Sequence, residues 1–266
     1  MPHIFIFGLG YTSSRLAATL RRQGWNVTGT KRIASDDAIA FDDKASIENA
    51  LEQATHLLSS VPPARDGGDP VLDHYGSAIR AATFEATAYL SSTGVYGDVD
   101  GAWVDESAPI GLGRRKARSQ ADLDWQNLRN DVRVLRLPGI YGPGRNPMTR
   151  VEQGKAKRID VPGQMFSRIH VDDIIAAILA SFDGPAGVYN IADDWPAPQH
   201  EVIAFAARLL GIAPPPLLSL ADADLSPSAA GFYEENRRVA NGKAKRSLNW
   251  TPQYPDYKSG MTALMK

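Results

Sequence analysis

Apolar positions along the chain fall into two alternating kinds of run. Residues 4–7, Ile-Phe-Ile-Phe, form an unbroken apolar stretch too short for a helix and suited to a strand buried on both faces. Behind it the period lengthens: Leu16, Ala17 and Leu20 share one face of a helix, while Arg15, Thr19 and Arg22 turn away. Gly24 stands where a left-handed C-terminal cap would end that helix. The same reading predicts strands over 26–30, 38–41 and 56–61, the last stopped by Pro62-Pro63, with a helix over 46–53. A helix over 72–81 leads to a strand over 86–90, and a further strand spans 132–137. Strands alternating with helices predict an α/β protein, a Rossmann-type doubly wound parallel sheet with ligands outside the strand carboxyl ends.

The turn after the first strand reads Gly8-Leu9-Gly10-Tyr11-Thr12-Ser13. Strand, glycine turn, helix, strand is the context a dinucleotide site needs. Gly8 permits the tight turn, Gly10 lets the backbone approach a pyrophosphate, and Ser13 stands where a small residue must pack helix against strand. The helix start at Tyr11 and Thr12 offers unpaired N–H groups and the positive end of a dipole. Ser60, near the end of the fourth strand, joins the candidate cofactor contacts. The second strand ends in Thr30-Lys31-Arg32 where an NAD site usually places a carboxylate. A guanidinium grips a 2′-phosphate with paired hydrogen bonds. NADP is therefore expected in preference to NAD, with Arg32 as first contact and Lys31 as second; the alternative is a solvated basic turn. Asp42 is either an acceptor for the adenine amine or a helix cap. Residues 65–70 read as a polar Gly/Pro turn near the cofactor.

Composition narrows the class. The chain has 266 residues, 43% hydrophobic, with Lys+Arg 29 against Asp+Glu 30, enough for one large domain or a domain plus a lobe. A formal charge of −1 lacks the basic excess of a nucleic-acid protein, so no nucleic-acid partner is expected. No apolar run approaches the roughly twenty residues that span a bilayer, and the first strand leaves no room for a signal peptide. A cytoplasmic protein without membrane partners is expected. The absence of cysteine excludes disulfides and thiolate metal ligands, and no metal site is expected.

The strand over 86–90 runs into Ser91-Ser92-Thr93-Gly94-Val95-Tyr96-Gly97, three hydroxyls at the end of a central strand. Here the chain resembles the extended and atypical branches of the short-chain dehydrogenase/reductase superfamily, the NAD(P)-dependent epimerase/dehydratase group. The resemblance implies that Ser92, three residues before Val95, hydrogen-bonds the substrate oxygen undergoing redox, with Thr93 beside it. It extends through Pro138-Gly139-Ile140-Tyr141-Gly142, which looks like the family's turn beneath the nicotinamide, and through Ile169-His170-Val171-Asp172-Asp173 before a helix over 174–181. A late strand over 187–191 and Leu248-Asn249-Trp250-Thr251-Pro252, with Asn249 in place of glycine, complete it. The implied organisation is a nucleotide domain over 1–144, to which 170–191 return, and a smaller C-terminal α/β substrate lobe from 145–169 and 192–266. An amphipathic helix is expected over 201–210, and 211–230 read as an irregular loop over the substrate site. Family members often form homodimers.

The resemblance breaks at the family's Tyr-x-x-x-Lys pair, whose tyrosine exchanges the proton that accompanies hydride transfer. If Asp122 takes the place of the acid that follows that lysine by four, Arg118 falls on the lysine position and Arg114 on the tyrosine position. Arginine keeps its proton to a pKa above about 12 and cannot replace a phenol. Either another residue supplies the proton, or the reaction needs none, or the protein binds NADP without turnover, as a sensor would. Tyr96 is the nearest phenol in sequence, as replacement or as a structural tyrosine packed under the substrate loop. Arg114 and Arg118 are expected on one helical face, pointing into the cleft and binding an anion. Asp105 and Glu106 are the other partners open to this basic cluster. Phe166 stands where nucleotide-sugar epimerases carry a diphosphate-gripping arginine, and Arg168 is the candidate substitute. His170 reads as a structural histidine that opens a helix. The substrate expected is small and polar, anionic or sugar-like.

Overall fold

A computed structural model describes residues 1–64 and 67–265, so Arg65 and Asp66 of the expected 65–70 turn lie outside the described residues. The chain begins β1 (His3–Phe7), α1 (Tyr11–Arg22), β2 (Asn26–Lys31), β3 (Ile39–Ala40), α2 (Lys44–Gln53), β4 (His56–Ser59), α3 (Pro70–Ala81) and β5 (Ala86–Ser92). It continues with β6 (Trp103–Val104), α4 (Lys116–Leu128), β7 (Val132–Leu137), β8 (Gly139–Tyr141), α5 (Pro147–Glu152), β9 (Arg158–Asp160) and β10 (Arg168–His170). Then follow α6 (Val171–Asp183), β11 (Gly187–Asn190), α7 (Gln199–Leu209), β12 (Leu217–Ser219), α8 (Pro227–Ala230), β13 (Arg238–Val239), α9 (Gly242–Ser247) and α10 (Tyr257–Ala263).

Alternation along β1 explains the layers. Ile4 and Ile6 pack on one side with Leu16 and Leu20 of α1 and Ile174 and Ile178 of α6. Phe5 and Phe7 pack on the other with Ile47, Tyr75 and Trp125 from α2, α3 and α4. A strand buried on both faces sits inside a sheet covered on both sides, which is the doubly wound arrangement. Seven parallel strands run in the order β11-β7-β5-β4-β1-β2-β3. The order reverses between β1 and β4, so a crevice opens beyond their carboxyl ends at Gly8 and Ser60.

A separate apolar core, with Met148, Val151, Val202, Ile203, Tyr257 and Met261, holds α5, α7 and α10 together. Small parallel pairs, β8 with β10 and β6 with β13, join this part to segments that follow the main strands, while β9 pairs with β12 within it. The stretch 211–230 departs from its expected place. β12 within it pairs with β9, and Lys157 Nζ donates to the carbonyls of Ala223 and Asp224 at 2.5 and 2.6 Å. These bonds hold it against β9 and Lys157, and the described cleft lining takes up the chain again only from Phe232 onward.

Two backbone details follow from sequence. Gly24 has φ +84°, as the cap of α1 requires, and Asn249 takes φ 49° at the position where the family has glycine. Asparagine tolerates that region better than other residues with a Cβ, so the substitution preserves the turn.

Candidate active site

The β1–α1 turn is built for close approach. Gly8 has φ +85°, and a Cβ there would stand 2.9 Å from Val61 Cγ2. Its N–H donates to Thr30 Oγ1 at 3.0 Å and its carbonyl accepts from Ser60 Oγ at 2.6 Å. Ser13 Oγ donates in turn to Ser60 Oγ at 2.7 Å, so both serines clamp the turn from beneath. Gly10 caps α1 without a side-chain hydrogen bond, and a Cβ on it would meet nothing within 4 Å. The N–H groups of Tyr11, Thr12 and Ser13 have no partner among the described residues, as expected of a first helical turn. An open glycine surface before unpartnered N–H groups and a helix dipole fits the pyrophosphate of a dinucleotide. Tyr11 Oη donates to the Pro143 carbonyl at 3.0 Å, tying this turn to the one after β8.

Beyond the glycine turn, the candidate adenosine contacts at the end of β2 and before α2 differ in their partners. Lys31 Nζ is paired with Asp37 at 2.8 Å, and bonds from Lys31 and Ser35 hold that carboxyl down at about 2. Arg32 is exposed, with no carboxylate partner among the described residues. The cap of α2 is Asp43, whose carboxylate accepts from Ser46 N at 3.2 Å. Asp42 is therefore not the cap, and it remains exposed.

From this turn a cleft of ≈ 620 Å³ runs to the end of β5, bringing together Gly10–Ser13, Ser60, Ser92, Thr93, Arg114 and Arg118. Ser92 Oγ accepts from Gly94 N at 3.1 Å, which leaves its own hydrogen free for a ligand. Thr93 lies beside it and is buried. Behind Ser92 the polar groups are committed. Ser91 Oγ donates to Asp122 Oδ2 at 2.5 Å, and Arg136 grips both oxygens of Asp122 at 3.0 and 2.8 Å. Tyr96 is fully buried; its hydroxyl donates to Asn190 Oδ1 at 2.7 Å and accepts from Arg136 Nη1 at 2.9 Å. Burial pushes this phenol up, and its place outside the cleft removes it as a proton donor to a substrate. The only tyrosine lining the cleft among the described residues is Tyr11, already bonded to Pro143.

Arg114 departs from its expected helix. α4 begins at Lys116, because Gly113 passes so close to the Gly94 carbonyl that a Cβ would overlap it, and the chain must clear that crossing first. Arg114 still lines the cleft, but its N–H donates to Glu235 Oε1 at 2.8 Å and its guanidinium lies 4.8 Å over the Phe232 ring. Arg118 is on α4, half-buried at the cleft wall, with no carboxylate partner among the described residues. Neither Asp105 nor Glu106 meets these arginines; Asp105 turns to Ser107 and Glu106 accepts from Asn190 N at 2.7 Å. Arg168 is committed to the carbonyls of Phe166 and Ala197 and to Gln199, and burial lowers its pKa to about 10, so it remains charged but is not free to grip a diphosphate. His170 caps α6, its Nδ1 accepting from Asp172 N at 3.3 Å, and burial pushes its pKa down.

Two charged cleft residues, Glu235 and Arg237, have no counterpart among the sequence expectations. Glu235 is the one carboxylate among the described lining residues, facing six arginines, and Arg237 is paired with it at 3.0 Å. They lie in the mixed-charge run Glu234-Glu235-Asn236-Arg237-Arg238, which has neither helical nor strand period to mark it.

No family model matches the chain. It is 30% identical over 285 aligned positions to Protein YeeZ of Escherichia coli K12, covering 96% of this chain and 97% of that protein. It is 28% identical to a 3-diazoavenalumate denitrifying reductase of Streptomyces, over 95% and 96% of the two chains. Among solved structures, a functionally unknown conserved protein from Silicibacter pomeroyi DSS superposes with a TM-score of 0.93 at 42% identity, over 100% and 98% of the chains. The human epimerase family protein SDR39U1 with NADPH shares the fold, with a TM-score of 0.79 at 17% identity over 98% of each chain. The doubly wound sheet agrees with these solved structures over nearly the full length. The chain belongs to the same family as Protein YeeZ, and its fold is that of the NAD(P)-dependent epimerase/dehydratase group of the short-chain dehydrogenase/reductase superfamily.

Proposed function

We propose that the protein is an NADP-dependent reductase of a small anionic substrate. One observation carries the reading: the cleft joins a dinucleotide turn to Ser92 and lines the far wall with guanidinium groups, while Tyr96 is buried elsewhere. When bound, a nicotinamide cofactor supplies or accepts hydride. The rest follows from the chain's own side chains. Ser92, with its hydrogen free, donates to the substrate oxygen on which negative charge develops. Arg118 stands at the same wall and stabilises that charge electrostatically. A guanidinium holds charge without releasing a proton at neutral pH, so the proton that completes reduction comes from water in the open cleft. Arg32, exposed beyond β2 while Lys31 is engaged by Asp37, supports the 2′-phosphate form of the cofactor. The reductase among the relatives supports the reaction class.

The test is oxidation of NADPH followed at 340 nm against panels of oxo acids, sugars and quinones. A substrate-dependent rate that falls about a hundredfold in Ser92→Ala, with NADPH affinity retained, is the expected result. Silence across all three panels from a protein that binds NADPH would overturn the reductase reading in favour of a nucleotide-binding sensor.

A further inference from the structure

Charge in the cleft is lopsided, and one guanidinium is held in place with its donors unused. Arg237 Nη1 donates to the Gly97 carbonyl at 2.7 Å and to Glu235 Oε2 at 3.0 Å, which occupies both of that nitrogen's hydrogens. Nε and Nη2 have no partner among the described residues. Nη2 lies 4.0 Å from the point where a Cβ on Gly94 would stand, and Ser92 Oγ lies 3.3 Å from the same point. Glu235 is engaged on both oxygens in turn, with Oε1 accepting from Arg114 N and lying 3.9 Å from Arg114 Nε. It therefore orients Arg237 without cancelling Arg118, which faces the same cleft from α4. Guanidinium groups withdrawn from water and lacking a full complement of acceptors favour an oxyanion that supplies them.

We infer that Arg237 and Arg118 form an oxyanion seat beside Ser92, which fixes a carboxylate or phosphoryl group close to the substrate carbon that changes oxidation state. The inference rests on the reductase reading and sharpens it to substrates that carry an acidic group next to the reacting centre. Arg237 is then the residue that selects substrate, Glu235 is the one that positions it, and Gly94 leaves the space the anion occupies. The arrangement places the anion nearer Arg237 than Arg114, whose guanidinium is engaged by the Phe232 ring and by Glu235 at 3.9 Å.

Calorimetric titration of sodium oxalate, and separately of inorganic phosphate, into the protein saturated with NADPH decides the matter. Saturable binding of at least one anion is expected, and whichever binds more tightly distinguishes a carboxylate seat from a phosphoryl seat. Arg237→Gln should weaken that anion about tenfold or more. Arg22→Gln, which removes the same charge at the far end of α1, should leave the affinity unchanged. Should Arg237→Gln fold poorly, Gly94→Ala decides instead, because its Cβ would fill the seat at 3.3 Å from Ser92 Oγ. Absence of saturable binding by either anion, or equal affinity in both seat variants and the wild type, overturns the inference. Quenching of tryptophan fluorescence by NADPH is read separately. Its loss would sink the nucleotide reading, while the same anion titrations without NADPH would still decide the seat.

Discussion

At the end of β2 the neighbouring cations Lys31 and Arg32 have different partners, and on the proposed reading this sets the cofactor preference. Lys31 is drawn to Asp37 and Ser35, whereas Arg32 is exposed with its donors available. Arg32→Ala should therefore weaken NADPH by about ten- to a hundredfold, the value of one or two charge-assisted contacts, and leave NADH almost unchanged. Lys31→Ala should have the smaller effect. Equilibrium binding of both cofactors to both variants checks this, and equal weakening of NADPH and NADH by Arg32→Ala would assign that residue to the fold. Ser60 and Ser13 hold the glycine turn through the Gly8 carbonyl and each other's hydroxyl.

At the scale of elements, α6 is anchored to the C-terminal segment by one buried carboxylate. Asp173 Oδ1 accepts from Gln253 N at 2.6 Å and Oδ2 from Tyr254 N at 3.1 Å, and Trp250 Nε1 donates to the Asp173 carbonyl. Burial outweighs those bonds and raises the Asp173 carboxyl to about 6. The folded state thus holds a proton that the unfolded chain releases between pH 3.8 and about 6. Stability from this group is fully present below the unfolded pKa and is lost as pH rises through about 6. Asp173→Asn should flatten the fall in stability between pH 4 and 6 by on the order of 3 kcal/mol, whatever it costs in hydrogen bonding. Urea denaturation of both proteins at several pH values measures it, and parallel curves would remove Asp173 from the pH response. On the opposite side of the sheet, the bonds of Asp122 to Arg136, Ser91 and Gln126 set the register of α4 against β5 and β7. That register faces Arg118 to the cleft.

Over the whole molecule, the cleft draws on the sheet's carboxyl edge and on the lobe, with Gly10 and Ser92 on one side and Met165 to Arg168 and Arg237 on the other. A ligand that spans it binds the folded chain alone. NADPH at a hundred times its dissociation constant should therefore add about 2.7 kcal/mol of stability and raise the melting temperature by several degrees. NADH at the same concentration should raise it less. Thermal denaturation followed by fluorescence checks both, and no shift with either cofactor would contradict dinucleotide binding. Among the described residues no helix is long and apolar enough to cross a membrane.

Much of the fold was legible because it is written in local, one-dimensional terms. The Ile-Phe-Ile-Phe run marks a strand buried on both faces, the spacing of Leu16 and Leu20 marks a helix, and Gly8 and Gly24 take the positive φ their turns require. Asp122 located α4 correctly in sequence, although α4 starts two residues after Arg114. The cleft's chemistry was less legible, since it depends on which distant backbone each polar side chain meets. Arg114 is turned aside by the crossing of Gly113 over Gly94 and by Glu235, 121 positions away along the chain. Tyr96 was open in sequence to two roles, replacement proton donor or structural tyrosine, and Arg136 from β7 and Asn190 from β11 bury its hydroxyl in the second. The sequence alone determined where the chain turns and which faces are apolar, because backbone conformation and hydrophobic period act over a few residues. Only the tertiary structure decided which of the charged groups remain unpaired, because a charge is satisfied by whatever the fold brings within hydrogen-bonding distance.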